Sequence, residues 1–166
     1  MKITLIGFMG SGKTAVAKEL GNKLNTDTIE MDAIVLERNK TKNMEELFKK
    51  GGEILLREWE IQLAKEWRDI EHAIISTGGG VVINKIILDY LREPNGTIVF
   101  LDVPFNVIQN RVKLDKTPRP LFTDVKSAFS IFKHRLPLYK KYADIIIKAQ
   151  DKEPVQIAEE IIRKLT

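Results

Sequence analysis

Short apolar runs recur along the chain, and the stretches between them carry apolar residues at helical spacing. Residues 2–6, 27–31, 73–77, 97–101 and 144–147 read as strands. Residues 13–24, 33–37, 44–50, 53–67, 83–91, 104–114, 125–142 and 154–165 read as helices, with Gly51-Gly52 parting the third from the fourth. Pro104 and Pro154 stand where a first helical turn tolerates proline. The segment 115–121 holds Pro118 and Pro120 and reads as a loop. Strands alternating with helices imply parallel strands joined by crossovers. The near-continuous apolar character of Ile74-Ile75, Ile98-Val99-Phe100-Leu101 and Ile145-Ile146-Ile147 implies burial on both faces. The expected fold is a three-layer α/β/α domain around a five-stranded parallel sheet.

The chain has 166 residues, which suits one domain, and its composition, 43% hydrophobic and 30% charged, is that of a globular protein. Without cysteine, disulfides and thiolate metal sites are excluded. No apolar run reaches the length of a membrane-spanning helix, and the cytoplasm is the expected compartment. The net charge of +4 comes from lysines spread along the chain, with no basic-aromatic platform. That distribution favours small anions over nucleic acid as partners. A monomer is expected.

In parallel α/β sheets, ligands bind beyond the carboxyl ends of the strands. Three segments follow strands in that way: 7–14, Asp32 and Gly78-Gly79-Gly80. The first, Gly7-Phe8-Met9-Gly10-Ser11-Gly12-Lys13-Thr14, matches G-x-x-x-x-G-K-[ST] between a strand and a helix. In such a loop the backbone N–H groups of Gly10, Ser11 and Gly12 turn toward phosphate oxygens, and the following helix adds its positive end. Lys13 is expected to face solvent or ligand and to reach the β- and γ-phosphates of ATP. Thr14 is expected to ligate Mg²⁺. The motif alone leaves the acceptor open among GTPases, motors, nucleotide kinases and small-molecule kinases. Asn39-Lys40-Thr41-Lys42 lacks the aspartate of a guanine-specifying N-K-x-D.

Further segments line up in order: Asp32; Gly52-Glu53 with Arg57 and Glu60; Gly78-Gly79-Gly80-Val81-Val82; Arg119-Pro120-Leu121; and Arg135-x-x-x-Tyr139 with Ala143-Asp144. On these residues the chain resembles the shikimate kinases, members of the nucleoside-monophosphate-kinase-like P-loop group, almost end to end. The resemblance implies ATP-dependent phosphorylation of the shikimate 3-hydroxyl, within aromatic amino-acid biosynthesis. It also implies a substrate-binding segment at about residues 33–61 and a lid at about 112–123.

Shikimate carries a carboxylate and ring hydroxyls. Arginine is the natural partner of a carboxylate, and the resemblance points to Arg57 and Arg135. Arg57 could instead be a surface arginine paired with Glu53 or Glu60 at helical spacing. Asp32 would orient the attacking hydroxyl and accept its proton, or cap the helix that follows. Gly78, Gly79 and Gly80 would approach the substrate closely, or merely form a turn. Lys116 and Arg119 would belong to the lid, with Arg119 neutralising the transferring group. Arg111 and Pro154 resemble the positions that sandwich adenine.

One departure stands out. The family usually has D-x-D after the second strand, where this chain has Glu30-Met31-Asp32. Glu30 would act on Mg²⁺ through water from slightly further back. Competing readings are a kinase for gluconate or a nucleoside monophosphate, and a non-catalytic ATP-binding switch.

Overall fold

The three central strands of the sheet bury successive residues, not alternate ones, but the two edge strands do not. Ile146, expected from its apolar run to be covered, is exposed because an edge strand is packed less completely. The structure, a computed structural model, describes residues 1–115 and 122–166. Its strands are β1 (Lys2–Ile6), β2 (Thr28–Glu30), β3 (Ala73–Ser76), β4 (Gly96–Asp102) and β5 (Ile145–Lys148), all paired in parallel in the order β2-β3-β1-β4-β5. Every residue of β1 and β3 is buried. Both faces of these strands are therefore covered, as a parallel sheet with helical crossovers requires. The helices are α1 (Lys13–Leu24), α2 (Met31–Asn39), α3 (Met44–Glu66), α4 (Lys85–Arg92), α5 (Phe105–Leu114), α6 (Val125–Tyr142) and α7 (Pro154–Leu165). The core joins Ile3, Leu5, Ile75, Ile98 and Leu101 of the sheet to Leu20, Leu63, Leu88 and Ile161 of the helices.

This strand order places the site. The chain leaves β1 toward β2 on one side, and leaves β3 toward β4 on the other side of β1. The loops after β1 and β3 therefore diverge from adjacent strands, and a crevice opens between them. At the opposite end of the sheet, buried Lys2 donates from Nζ to Trp67 O (3.2 Å), Arg68 O (2.6 Å) and Glu93 O (2.5 Å). A single ammonium thus closes the carboxyl ends of α3 and α4, where helical carbonyls lack partners.

Two sequence expectations are corrected in detail. Met31 begins α2 and does not end β2. Its side chain is buried in either arrangement, so an apolar pattern could not decide between them. Asp32 consequently lies inside the first turn of α2. The N-cap is Glu30, so Asp32 does not have the capping role that the sequence left open. The segment 81–83 forms a separate 3-10 turn before α4 begins at Lys85. The expected break between two helices is present, although α3 runs through it: Gly52 alone leaves helical geometry, at φ 69°, ψ −169°.

That conformation is nearly exclusive to glycine, while a methyl group at Gly52 would meet nothing within 4 Å. Gly52→Ala should therefore lower the unfolding free energy by about 1–3 kcal/mol through backbone strain alone, as read by denaturant titration. An unchanged midpoint would show that the segment relaxes to a continuous helix.

Candidate active site

The loop after β1 and the triple glycine after β3 meet at the crevice. A Cβ on Gly79 would stand 3.2 Å from Met9 N and 3.5 Å from Gly7 O, so the two loops are in backbone contact. Between them and α1 lies a cleft of about 730 Å³, lined by Gly10, Gly12, Lys13, Thr14, Glu30, Asp32, Ser76 and Gly79 among others. Lys13 is 8% exposed, and its ammonium donates to Gly7 O (2.8 Å) and Phe8 O (3.1 Å). Of the two expected surroundings, solvent or ligand, Lys13 is shut off from the first and borders the cleft. Lys13 lines the cleft while bracing its own loop, because a buried ammonium takes whatever carbonyls surround it.

The cleft has a metal-suited end. Thr14 Oγ1 donates to Glu30 Oε2 at 3.1 Å. Burial raises the Glu30 pKa above its ordinary value, while hydrogen bonds from Ser76 and Thr14 and the charge of Lys13 pull it back down. Among the described residues no cluster of three or more His, Asp or Glu is suited to a metal. One carboxylate and one hydroxyl beside a phosphate loop nevertheless match Mg²⁺, which usually keeps waters and takes remaining oxygens from phosphates.

Beside the cleft, against Gly78 and Gly80, stands a lattice of charge. Arg57 donates from Nη1 to Glu60 Oε2 (2.6 Å) and from Nη2 to Glu53 Oε1 (2.7 Å). Both ion pairs considered from helical spacing are therefore made. Arg135, from α6, brings its Nη2 to 3.8 Å from the same Glu53 oxygen. It is 3% exposed, and burial pulls its guanidinium below the ordinary value. Arg135 also lies over the ring of Phe8 in the phosphate loop, at 6.0 Å. Two cations from distant parts of the chain thus converge on one carboxylate oxygen beside the crevice.

The three glycines are explained by what they face. A Cβ on Gly78 would stand 2.8 Å from both Asp32 Oδ1 and Glu60 Oε1, and one on Gly80 would stand 2.0 Å from Arg57 Nη2. A simple turn would need no such clearance. Glu60 is fully buried, and burial pushes its carboxyl up to about 7 against the pull of Arg57, with Asp32 adding to the rise.

The remaining expectations separate. Arg111 donates to Gly10 O at 3.3 Å and so leans on the phosphate loop, whereas Pro154 opens α7 behind a capping box formed by Glu153 and Gln156. Asp144, part of the quoted Ala143-Asp144 pair, accepts from Ile98 N (2.8 Å) and joins β4 to β5, outside the cleft. Lys116 and Arg119 lie outside the described residues, as does half of the expected lid, residues 116–121. Sequence reasoning assigned no site role to Ser76 or Tyr139. Tyr139 is fully buried, stacks on Phe100 and donates its hydroxyl to Gly79 O, fixing the triple glycine from below. Its fourfold spacing from Arg135 was the signal available.

Comparison with known proteins agrees with this geometry. The family model described as shikimate kinase matches residues 9–166. A shikimate kinase of a Sulfurihydrogenibium species is 35% identical over 98% of this chain and 96% of its own. The solved shikimate kinase of Aquifex aeolicus is 35% identical, with a TM-score of 0.82 over 99% of this chain and 96% of that one. The shikimate kinase of Acinetobacter baumannii, solved in complex with shikimate, is 26% identical with a TM-score of 0.91 over 99% and 92%.

The raised carboxyl of Glu60 carries a pH signature. Its folded pKa of about 7 lies above the ordinary 4.5, so the protonated form is favoured by folding. The associated stability is complete below about pH 4.5 and is lost as pH rises through about 7. Glu60→Gln cannot titrate, so the stability of the unaltered protein relative to this variant should fall across that window in denaturant titrations. A pH-independent difference would mean that Arg57 keeps Glu60 ionised throughout.

Proposed function

The chain belongs to the shikimate kinase family, and from that membership we propose that it transfers the γ-phosphoryl group of ATP to the 3-hydroxyl of shikimate, a step of aromatic amino-acid biosynthesis. The observation that carries this reading is the convergence of Arg57 and Arg135 on Glu53 Oε1 beside the phosphate-loop cleft. A buried cation whose counter-ion sits at 3.8 Å is incompletely compensated. A substrate carboxylate can complete it through the planar, bidentate geometry that guanidinium offers. Glu53 is 43% exposed and can yield its place. A neutral acceptor would not use two such cations, whereas an anionic one would.

The proposed roles follow from position. Phosphoryl transfer depends on alignment and charge neutralisation more than on covalent chemistry by the protein. Lys13 and the backbone N–H groups of Gly10, Ser11 and Gly12 hold the phosphates of ATP. Mg²⁺, when bound, neutralises and orients the β- and γ-phosphates, and Thr14 would hold it directly and Glu30 through water. Arg57 and Arg135 anchor the substrate carboxylate, and Gly78, Gly79 and Gly80 let the ring approach the sheet edge. Asp32 stands at Gly78, at the cleft, where it can accept the proton of the attacking hydroxyl. The new bond joins that hydroxyl oxygen to the γ-phosphorus, the bond from the γ-phosphorus to the β–γ bridging oxygen breaks, and ADP leaves.

We assign residues 33–61 to substrate binding, since they carry Glu53, Arg57 and Glu60, and 112–123 to a lid in which Arg119 neutralises the transferring group. Arg111 and Pro154 are proposed to flank adenine. Every residue in this scheme comes from one chain, so a monomer suffices.

ADP formation with alternative acceptors tests the proposal. With Mg²⁺ present, shikimate should stimulate ADP release far above the acceptor-free rate, while gluconate, AMP and CMP should not. Faster turnover with any of those three would reassign the acceptor, and no stimulation by any would favour a non-catalytic nucleotide switch.

A further inference from the structure

The carboxylate of Glu30 hangs on one more rotatable bond than an aspartate's would. Something must hold that longer arm if it is to serve a metal. Its neighbour across the sheet is Ser76: β2 and β3 are paired with Glu30 opposite Ser76. In a parallel pair, partnered residues point to the same face. Both side chains line the cleft together with Thr14. Ser76 is 2% exposed, at the last position of the fully buried strand β3.

Thr14 donates its hydroxyl to the Glu30 carboxylate, and the Ser76 hydroxyl stands beside the same side chain across the strand pair, within the same cleft. A hydroxyl has one proton to donate and two lone pairs to offer. With its proton committed to Glu30, Thr14 presents only lone pairs to the cleft, which is the arrangement a cation needs. Thr14 alone could not hold the acid in place, because it sits on the first turn of α1 and reaches Glu30 from one side. Ser76 supplies the hold from the neighbouring strand.

We propose that Ser76 is a positioning residue for the magnesium site: its hydroxyl fixes the longer acid Glu30, so that Glu30 in turn orients Thr14 toward the ion. This rests on the metal site assigned above. Ser76 does not touch the nucleotide in this account; it acts through Glu30.

Calorimetric titration with ADP, with and without Mg²⁺, separates the possibilities without relying on turnover. In the unaltered protein Mg²⁺ should strengthen ADP binding. Ser76→Ala should reduce that gain by about tenfold to a hundredfold, the range for one hydrogen bond to a charged group. Metal-free ADP affinity and shikimate affinity should stay as they were. In a Glu30→Ala background the same substitution should change nothing further, because its route is gone. The role of Ser76 is overturned if Ser76→Ala keeps the full Mg²⁺ gain, if it weakens metal-free ADP binding equally, or if its effect persists without Glu30. If the unaltered protein gains nothing from Mg²⁺, the metal site itself fails, and the role of Ser76 with it.

Discussion

Arg57 is held between two glutamates of its own helix, one of them fully buried, and the sheet edge at the triple glycine is organised around that arrangement. Glu60 receives a guanidinium on one oxygen, while the other faces the space above Gly78. Burying an ion pair in this way brings little or no net stability, because desolvation of both charges consumes most of the attraction. Its effect is positional. Arg57 cannot swing away without leaving Glu60 buried and unpaired, a cost of several kcal/mol. The guanidinium therefore lies flat against Gly80, the only residue type that leaves room for it. The triple glycine, its support by Tyr139 and the approach of Arg135 all follow from placing one cation at the edge of the sheet.

The proposed scheme uses different means for its two ligands. For the phosphates it relies on loop N–H groups and the start of α1, joined by one ammonium braced by loop carbonyls. For the acceptor it relies on two guanidinium groups held apart by shared counter-ions. Phe8 links the two regions, since it belongs to the phosphate loop, meets Phe132 edge-on and carries Arg135 over its ring. Displacement of the loop would therefore be felt at the carboxylate anchor through packing contacts, without a hinge between them.

Much of this was readable in the chain before the fold was known. α1 could be bounded at both ends, because the glycine-rich loop fixes its start and left-handed Asn25 closes it. The glycine-rich loop and the triple glycine follow β1 and β3 and meet at the crevice, as strand order and their glycines led one to expect. What could not be read depended on contacts distant in sequence. Lys2 looks like a polar strand start, yet it is buried beneath two helix ends that lie 65 to 91 residues away. Glu60 looks like any surface glutamate at helical spacing, and its burial exists only because the loop after β3 folds over it. Met31 fitted a strand and a helix equally well. Ser76 gave no signal, since only strand register sets it opposite Glu30.

The account depends on Arg57 holding one position against Gly80. Gly80→Ala tests this most directly, because it removes no charge and no hydrogen-bonding group. The added methyl group would claim the space of the guanidinium, 2.0 Å from Nη2. Calorimetric titration should then show shikimate binding weakened by at least about tenfold, consistent with the loss of a charge-assisted contact, and ATP binding unchanged. Shikimate binding at full strength in Gly80→Ala would contradict the account, since the carboxylate would then not need the guanidinium where the structure places it.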